Sequence, residues 1–309
     1  MTAATQPILV TGATGRVGGT GGHVAAELLR RGLPVRAMVH RIDERSEALQ
    51  ASGIEVVVGD FANYASLLTA LDGVHAAYFC YPVGAGLTEA AGLFAAAGRE
   101  RDLQRVVDLS LDAAFPESPS PQGRAEWVAE RIFEWAGYGG THLRVAAFFM
   151  ENLIALYGRQ IREHHQIRNS FGDFEPAWIA SSDVGAMGAA LLADPGLAND
   201  RTTVVGAAER ASHTTIADTV GKTTGHAVRY QRITPEEWRD ELIANATAAG
   251  QANPTAAAHL SAQSVTLRSH DTHLVTDDIQ RLTGRRAVTL TDFIEQNRGN
   301  FMPNPDTAN

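Results

Sequence analysis

Two residue types are nearly missing from these 309 residues: there is one cysteine, Cys80, and one lysine, Lys222. A lone cysteine closes no disulfide within the chain and builds no cysteine cage for a metal, which suits a reducing compartment; the cytoplasm is the expected location. A lone lysine excludes any mechanism that needs an ammonium elsewhere than position 222. Aromatic residues make up only 7%, and no apolar run approaches the roughly 20 residues of a membrane-crossing helix. Positive charge is outweighed, the formal net charge being -9. No global field therefore draws the chain to nucleic acid or to an anionic membrane, and neither is expected as a partner. The opening MTAATQPILV has neither the basic segment nor the apolar stretch of a secretory signal, so none is expected. What remains, 44% hydrophobic and 20% charged residues, describes an ordinary globular protein of one large domain or two lobes.

The first half alternates strand and helix patterns. PILVTG, VRAMV, IEVVVGD, AAYFCYP, RVVDLSL and THLRVAAFF read as short buried strands. Between them HVAAELLRRG, YASLLTALDG, LTEAAGLFAAAG and AEWVAERIFEWAG read as helices. Short connections between such units predict an α/β fold, a doubly wound parallel sheet covered on both faces, with ligands at the carboxyl ends of the strands. Residues 1–150 are expected to form a Rossmann domain, completed by elements within 178–226. Residues 151–309 are expected to form mainly a smaller, largely helical, substrate-side lobe. In that half Thr234, Pro235 and Glu237 spell an N-cap, a first-turn proline and a capping box. TDDIQRLTG and TLTDFIEQN predict two further short helices.

The stretch GATGRVGGTGG, residues 12–22, follows the first strand and precedes an amphipathic helix. That context fits a dinucleotide turn: Gly12 for the bend, Gly15 for backbone approach to the pyrophosphate, Gly18 for helix-on-strand packing. Gly19 to Gly22 then read as a lengthened loop, and a rival register uses Gly15, Gly18 and Gly21. The second strand ends in His40 and Arg41 rather than an acid. A guanidinium there grips a 2′-phosphate, with Arg16 of the turn as a second, so NADP(H) is preferred over NAD(H); Asp43 and Glu44 just beyond leave NAD open.

VTGATGRVG, VRAMVHR, VVVGDF, VVDLS, LRVAAFFMENL, WIASSDVG and LTGRRAVTLTDFI, in order from about Pro7 to Phe293, resemble the NmrA-like atypical short-chain dehydrogenase/reductases. Within them they are most similar to the bacterial NAD(P)H-quinone oxidoreductase and triphenylmethane-reductase type. The resemblance implies a Rossmann domain with the nicotinamide in a cleft against a small C-terminal lobe. It implies that Gly12, Thr14, Gly15, Arg16, Val17 and Gly18 cradle the pyrophosphate and that Arg41 takes the 2′-phosphate. Asp60 and Phe61 would flank the adenine, Tyr81 and Pro82 would run toward the nicotinamide, and Phe148, Phe149 and Asn152 would line its substrate end. The chain departs from the family at GTGG, an apparent insertion, and at Val145, Ala146 and Ala147, where a proline or glycine is usual. Glu126 and Arg131 stand where relatives often have histidine and lysine.

None of the six tyrosines has lysine four residues on, so the Tyr-x-x-x-Lys dyad that moves a proton in short-chain dehydrogenases is missing. Quinones and cationic dyes, which accept hydride at an electron-poor centre, suit such a chain better than alcohols do. The protein then has to orient flat rings and exclude water. Tyr81, Phe148, Phe149, Met150 and Trp178 are candidate walls, and Ser110 either hydrogen-bonds a substrate oxygen or caps its strand. The leading expectation is an NADPH-dependent reductase of a small quinone-like aromatic, acting as monomer or homodimer. A non-catalytic NAD(P) sensor with a protein partner is the alternative, and an open ring-sized pocket would discriminate the two. A third reading has an acid, Glu126 or His142, supplying a proton. No metal is expected: His270, Asp271 and His273 lack a further ligand, and His164 and His165 are adjacent and point apart. Cys80 reads as a small core residue.

Overall fold

A computed structural model describes residues 6–15, 19–138, 141–198, 202–207, 209–250, 253–269 and 274–303. The strands are β1 (Ile8–Thr11), β2 (Val35–Val39), β3 (Glu55–Val58), β4 (Ala76–Phe79), β5 (Arg105–Leu111) and β6 (Thr141–Val145). They continue with β7 (Phe148–Phe149), β8 (Gln166–Asn169), β9 (Ala177–Ile179), β10 (Thr202–Val205), β11 (Glu209–Arg210) and β12 (Arg229–Arg232). Helices α1 (Thr20–Arg30), α2 (Glu44–Ala51), α3 (Tyr64–Ala70), α4 (Leu87–Glu100) and α5 (Pro121–Trp135) join the first six strands. Then come α6 (Gly158–His164), α7 (Ser181–Ala193), α8 (His213–Thr224), α9 (Pro235–Ala248), α10 (Pro254–Ser269), α11 (Asp278–Thr283) and α12 (Leu290–Gln296).

Seven parallel strands form the main sheet in the order β10-β6-β5-β4-β1-β2-β3. Side-chain alternation along each strand feeds two cores. Val10, Tyr78 and Val107 pack with Val24, Leu28, Val184 and Met187 on the α1 and α7 face. Leu9, Phe79 and Val106 pack with Leu67, Phe94 and Phe133 on the α3, α4 and α5 face. All six strands read from the sequence are present, and β10 adds a seventh at the edge. Strand order reverses between β1 and β4, so the connections after them splay apart and open a crevice at the carboxyl ends.

The smaller lobe is largely helical but also carries two small sheets, β11-β9-β7 and β12-β8. Met150, Tyr157, Trp178, Ile216 and Phe293 form its main core, and Phe171, Trp238 and Leu267 a satellite. Thr234 caps α9 in the expected capping box. The helix α10 was not expected from the sequence, although Asn253-Pro254 is a start signal: the Asn253 carboxamide oxygen accepts from the Ala256 amide at 3.0 Å.

Candidate active site

The glycine turn is built from β1 outward. Gly12 sits at φ 71°, and a Cβ there would stand 3.1 Å from the Cys80 sulfur. The Gly15 amide donates to the Gly12 carbonyl at 3.1 Å. The helix begins at Thr20 with Gly19 as its N-cap, no side chain caps it, and no acid stands in its first turn. Among the described residues no side chain takes its leading amides, and Gly19 and Thr20 both line the crevice at its positive dipole end.

This corrects the reading of Gly19 to Gly22 as loop. Gly21 and Gly22 are already helical, and Gly21 is the close-packing glycine. A Cβ on it would overlap the Thr11 carbonyl oxygen and fall 2.6 Å from the Gly12 carbonyl carbon. The role the spacing gave to Gly18 belongs to Gly21, so the extra residues lie before the helix. Arg16, Val17 and Gly18 are outside the described residues.

From this turn a single cavity of about 900 Å³ runs along the strand ends. Of the residues singled out by sequence, Gly12, Thr14, Gly15, Asp60, Phe61, Tyr81, Pro82, Ser110, Phe148, Phe149 and Asn152 line it. Arg41 and Trp178 do not. Trp178 is buried in the lobe core behind Phe148, their ring centres 5.7 Å apart, and its indole N–H donates to the Ala211 carbonyl. It supports the wall instead of forming it. Met150 is likewise fully buried in that core.

At the glycine end, Arg41 is largely exposed and 3.9 Å from Asp43. Arg45, which the sequence reading passed over, ties the end of β2 to the turn, donating to the Thr14 carbonyl and, at 2.6 Å, to Asp43. Asp43 is occupied twice over, since its carboxylate also caps α2 by accepting from the Arg45 and Ser46 amides. The Arg45 guanidinium, then desolvation working the other way, set its carboxyl, which lies below the usual range. Asp60 folds on itself, accepting from the Ala62 amide at 2.9 Å, and Phe61 meets Phe79 and Tyr81 edge to face.

The far end mixes aromatic and polar groups. Ser110 lines the cavity, but its hydroxyl donates to Glu130 at 2.6 Å. Glu130 is fully buried and held by the Arg144 guanidinium through both oxygens. Glu126, on the same helix, lines the cavity at 6% exposure and accepts from the Gln122 carboxamide at 2.9 Å. Burial, against which that hydrogen bond works, and the nearby Asp108 and Glu130 charges push its carboxyl well above the usual range. His142 stands away from the cavity, its Nδ1 on Asp108 and its Nε2 3.4 Å from Glu134. Cys80 lines the cavity as a thiol, burial pushing it up to about 11.

The α10 helix covers this end with one face, Ala256, His259, Leu260 and Gln263. It is anchored by the Asn253 carboxamide on the Val83 carbonyl at 2.7 Å and by Ser120, whose oxygen is 2.7 Å from His259 Nδ1. Burial holds His259 down to about 4, so it is neutral at ordinary pH. Gln263 Oε1 is buried without a hydrogen-bond partner. His259 and Gln263 escaped the sequence reading, although their spacing with Ala256 and Leu260 marks one helical face.

Among the described residues no three His, Cys, Asp or Glu side chains gather as metal ligands, and no helix is long and apolar enough to cross a membrane. His270, Asp271 and His273 are outside the described residues.

Residues 4–121 match the NmrA-like family. The chain is 27% identical over 297 residues to an NAD(P)H azoreductase of Xenophilus azovorans, spanning 95% of this chain and 99% of that one. It is 28% identical over 299 residues to a (4-alkanoyl-5-oxo-2,5-dihydrofuran-3-yl)methyl phosphate reductase of Streptomyces griseus, spanning 96% and 99%. The fold superimposes on the NADPH-dependent quinone oxidoreductase of Escherichia coli in complex with NADPH, with a TM-score of 0.79 at 22% identity, over 94% of this chain and 99% of the other. It superimposes also on the Citrobacter triphenylmethane reductase in complex with NADP(H), with a TM-score of 0.77 at 23% identity, over 94% and 99%.

Proposed function

We propose that this NmrA-like chain is an NAD(P)H-dependent reductase that passes hydride to a quinone or similar conjugated acceptor without a Tyr-Lys dyad, and that it prefers NADPH to NADH. The observation that carries the reading is the continuous 900 Å³ cavity, open from the uncapped glycine turn to the aromatic end beneath α10. A sensor that only binds the dinucleotide has no use for ring-sized space beyond the strand ends. Two relatives that match over nearly their whole length bear reductase names, which supports the same reading.

The residues present fit a dinucleotide. Gly12 and Gly15 keep Cβ atoms out of the turn, and the first amides of α1, which no described side chain caps, would donate to a pyrophosphate. Gly12, Thr14 and Gly15, with Arg16, Val17 and Gly18, would hold that group. Asp60 and Phe61 would flank the adenine. Arg45 and Arg41 would meet a 2′-phosphate, and Asp43, committed to capping α2 and to Arg45, is poorly placed to take ribose hydroxyls as an NAD-selective acid does. Tyr81 and Pro82 would pass the second ribose. Phe148, Phe149 and Asn152 would frame the acceptor. When bound, the reduced cofactor supplies the hydride. The chain supplies orientation and a water-poor cavity. Ser110 contributes no proton, because its own is committed to Glu130.

The test is NADPH and NADH oxidation by purified protein against a panel of quinones and azo dyes. Saturating, quinone-dependent oxidation is the expected result. Replacing Arg41 and Arg45 together by alanine should weaken NADPH about 10–100-fold, the worth of one or two charge-assisted hydrogen bonds, and leave NADH little changed. Equal losses for both cofactors defeat the 2′-phosphate assignment. Tight NADPH binding with no oxidation across the panel favours the sensor.

A further inference from the structure

We propose, resting on the reductase reading, that Glu126 is the proton donor of this cavity and that the acceptors it serves are neutral molecules that gain a proton together with the hydride. Glu126 projects from α5 into the cavity and is almost wholly withdrawn from solvent, with Gln122, one turn earlier, holding Oε1. Its charged and titratable neighbours come from several elements. Asp108 on β5 and Glu130 on α5 repel its ionised form, and Cys80 at the end of β4 feels its charge. Asp112 after β5 and His259 on α10 share the cavity, and His259 is neutral. Among the described residues no cation is among the groups that set its charge. Glu126 thus stands near the ends of β4 and β5 as an uncharged acid at neutral pH.

Several of the other proton-bearing groups are committed elsewhere. Ser110 donates to Glu130, the Tyr81 hydroxyl donates to the Ala85 carbonyl at 3.0 Å, and His142 is outside the cavity. His259 Nδ1 is taken by Ser120, and a neutral imidazole is a far weaker acid than a carboxyl. Gln263, whose Oε1 lacks a partner, can orient an acceptor but cannot protonate it.

The step balances. A quinone or azo acceptor takes the C–H electron pair of the dihydronicotinamide as hydride and is reduced by two electrons, the nicotinamide being oxidised by two. The Glu126 O–H bond breaks, its electrons stay on the carboxylate, and an O–H or N–H bond forms on the acceptor. Water returns the proton to Glu126 afterwards. A cationic triarylmethane dye differs: hydride alone converts it to a neutral product, and no proton is needed.

The experiment compares wild type and Glu126→Gln with NADPH and either a neutral naphthoquinone or crystal violet. The quinone kcat should fall about 100-fold or more, the usual yield of a positioned acid, while the dye rate and NADPH affinity change little. The wild-type quinone rate should decline with rising pH as Glu126 ionises, and the variant should lose that limb. Without cofactor, infrared spectra at neutral pH should show the C=O band of a protonated buried carboxyl in wild type and not in Glu126→Gln. An undiminished quinone rate, an equal loss on both acceptors, or absence of that band overturns the assignment. If wild type oxidises NADPH with no quinone or azo acceptor, the reductase reading itself fails and this assignment falls with it.

Discussion

Gly21 and Gly92 are both glycines inside helices, and their surroundings are opposite. A methyl group on Gly21 would press into the backbone of Thr11 and Gly12, which α1 cannot escape without leaving the sheet. A methyl group on Gly92 would meet nothing within 4 Å. Gly21→Ala should therefore destabilise the fold by about 1–3 kcal/mol and weaken NADPH by shifting the turn, whereas Gly92→Ala should stabilise by up to about 1 kcal/mol through helix propensity. Denaturant titration of the two variants checks this. Equal stabilities would show that α1 does not need its close approach to β1.

At the scale of elements, α5 stands between the sheet and α10 and carries two acids one turn apart with opposite fates. Glu130 is buried with its charge balanced, receiving Arg144 through two hydrogen bonds. Glu126 is buried with no cation set against it among the described residues, and its carboxyl is pushed well above the usual range. Replacing Glu130 by alanine leaves Arg144 half-buried without its carboxylate and frees the Ser110 hydroxyl. The expected loss is about 3–5 kcal/mol, the range for breaking one side of a buried pair, read from chemical denaturation. A loss under about 1 kcal/mol, the range of exposed pairs, would mean that Arg144 is solvated in the folded state.

For the whole molecule, the cavity joins the sheet to the lobe: its lining comes from the β1–α1 turn at one end and from α10 at the other. A dinucleotide filling it would tie both to one ligand. NADPH at 100 times its Kd should add about 2.7 kcal/mol, a rise of a few degrees in Tm, and NADH at the same concentration should add less. Thermal unfolding with each cofactor measures this. An unchanged Tm with both would remove the dinucleotide site from the reading.

The alternating pattern of short apolar strands and amphipathic helices was enough to determine the parallel sheet, because the pleat period and the helical period are local properties of the chain. The glycine turn was legible for the same reason, as were the capped helix at Thr234 and the missing lysine partner for any tyrosine. Tertiary structure decided the rest. Gly21 takes the packing role because helix α1 starts at Thr20, a boundary that contact with Thr11 reveals and glycine spacing does not. Trp178 left the cavity wall because β9 turns it toward Ala211, and Ser110 lost its free proton to a glutamate 20 residues away. His259 and Gln263 entered the site from a covering helix that no local pattern linked to it, and Arg45 reaches the turn from a capped helix. The rise of the Glu126 carboxyl depends on burial and on Asp108 and Glu130 together, a field that exists only once β5, α5 and α10 enclose it.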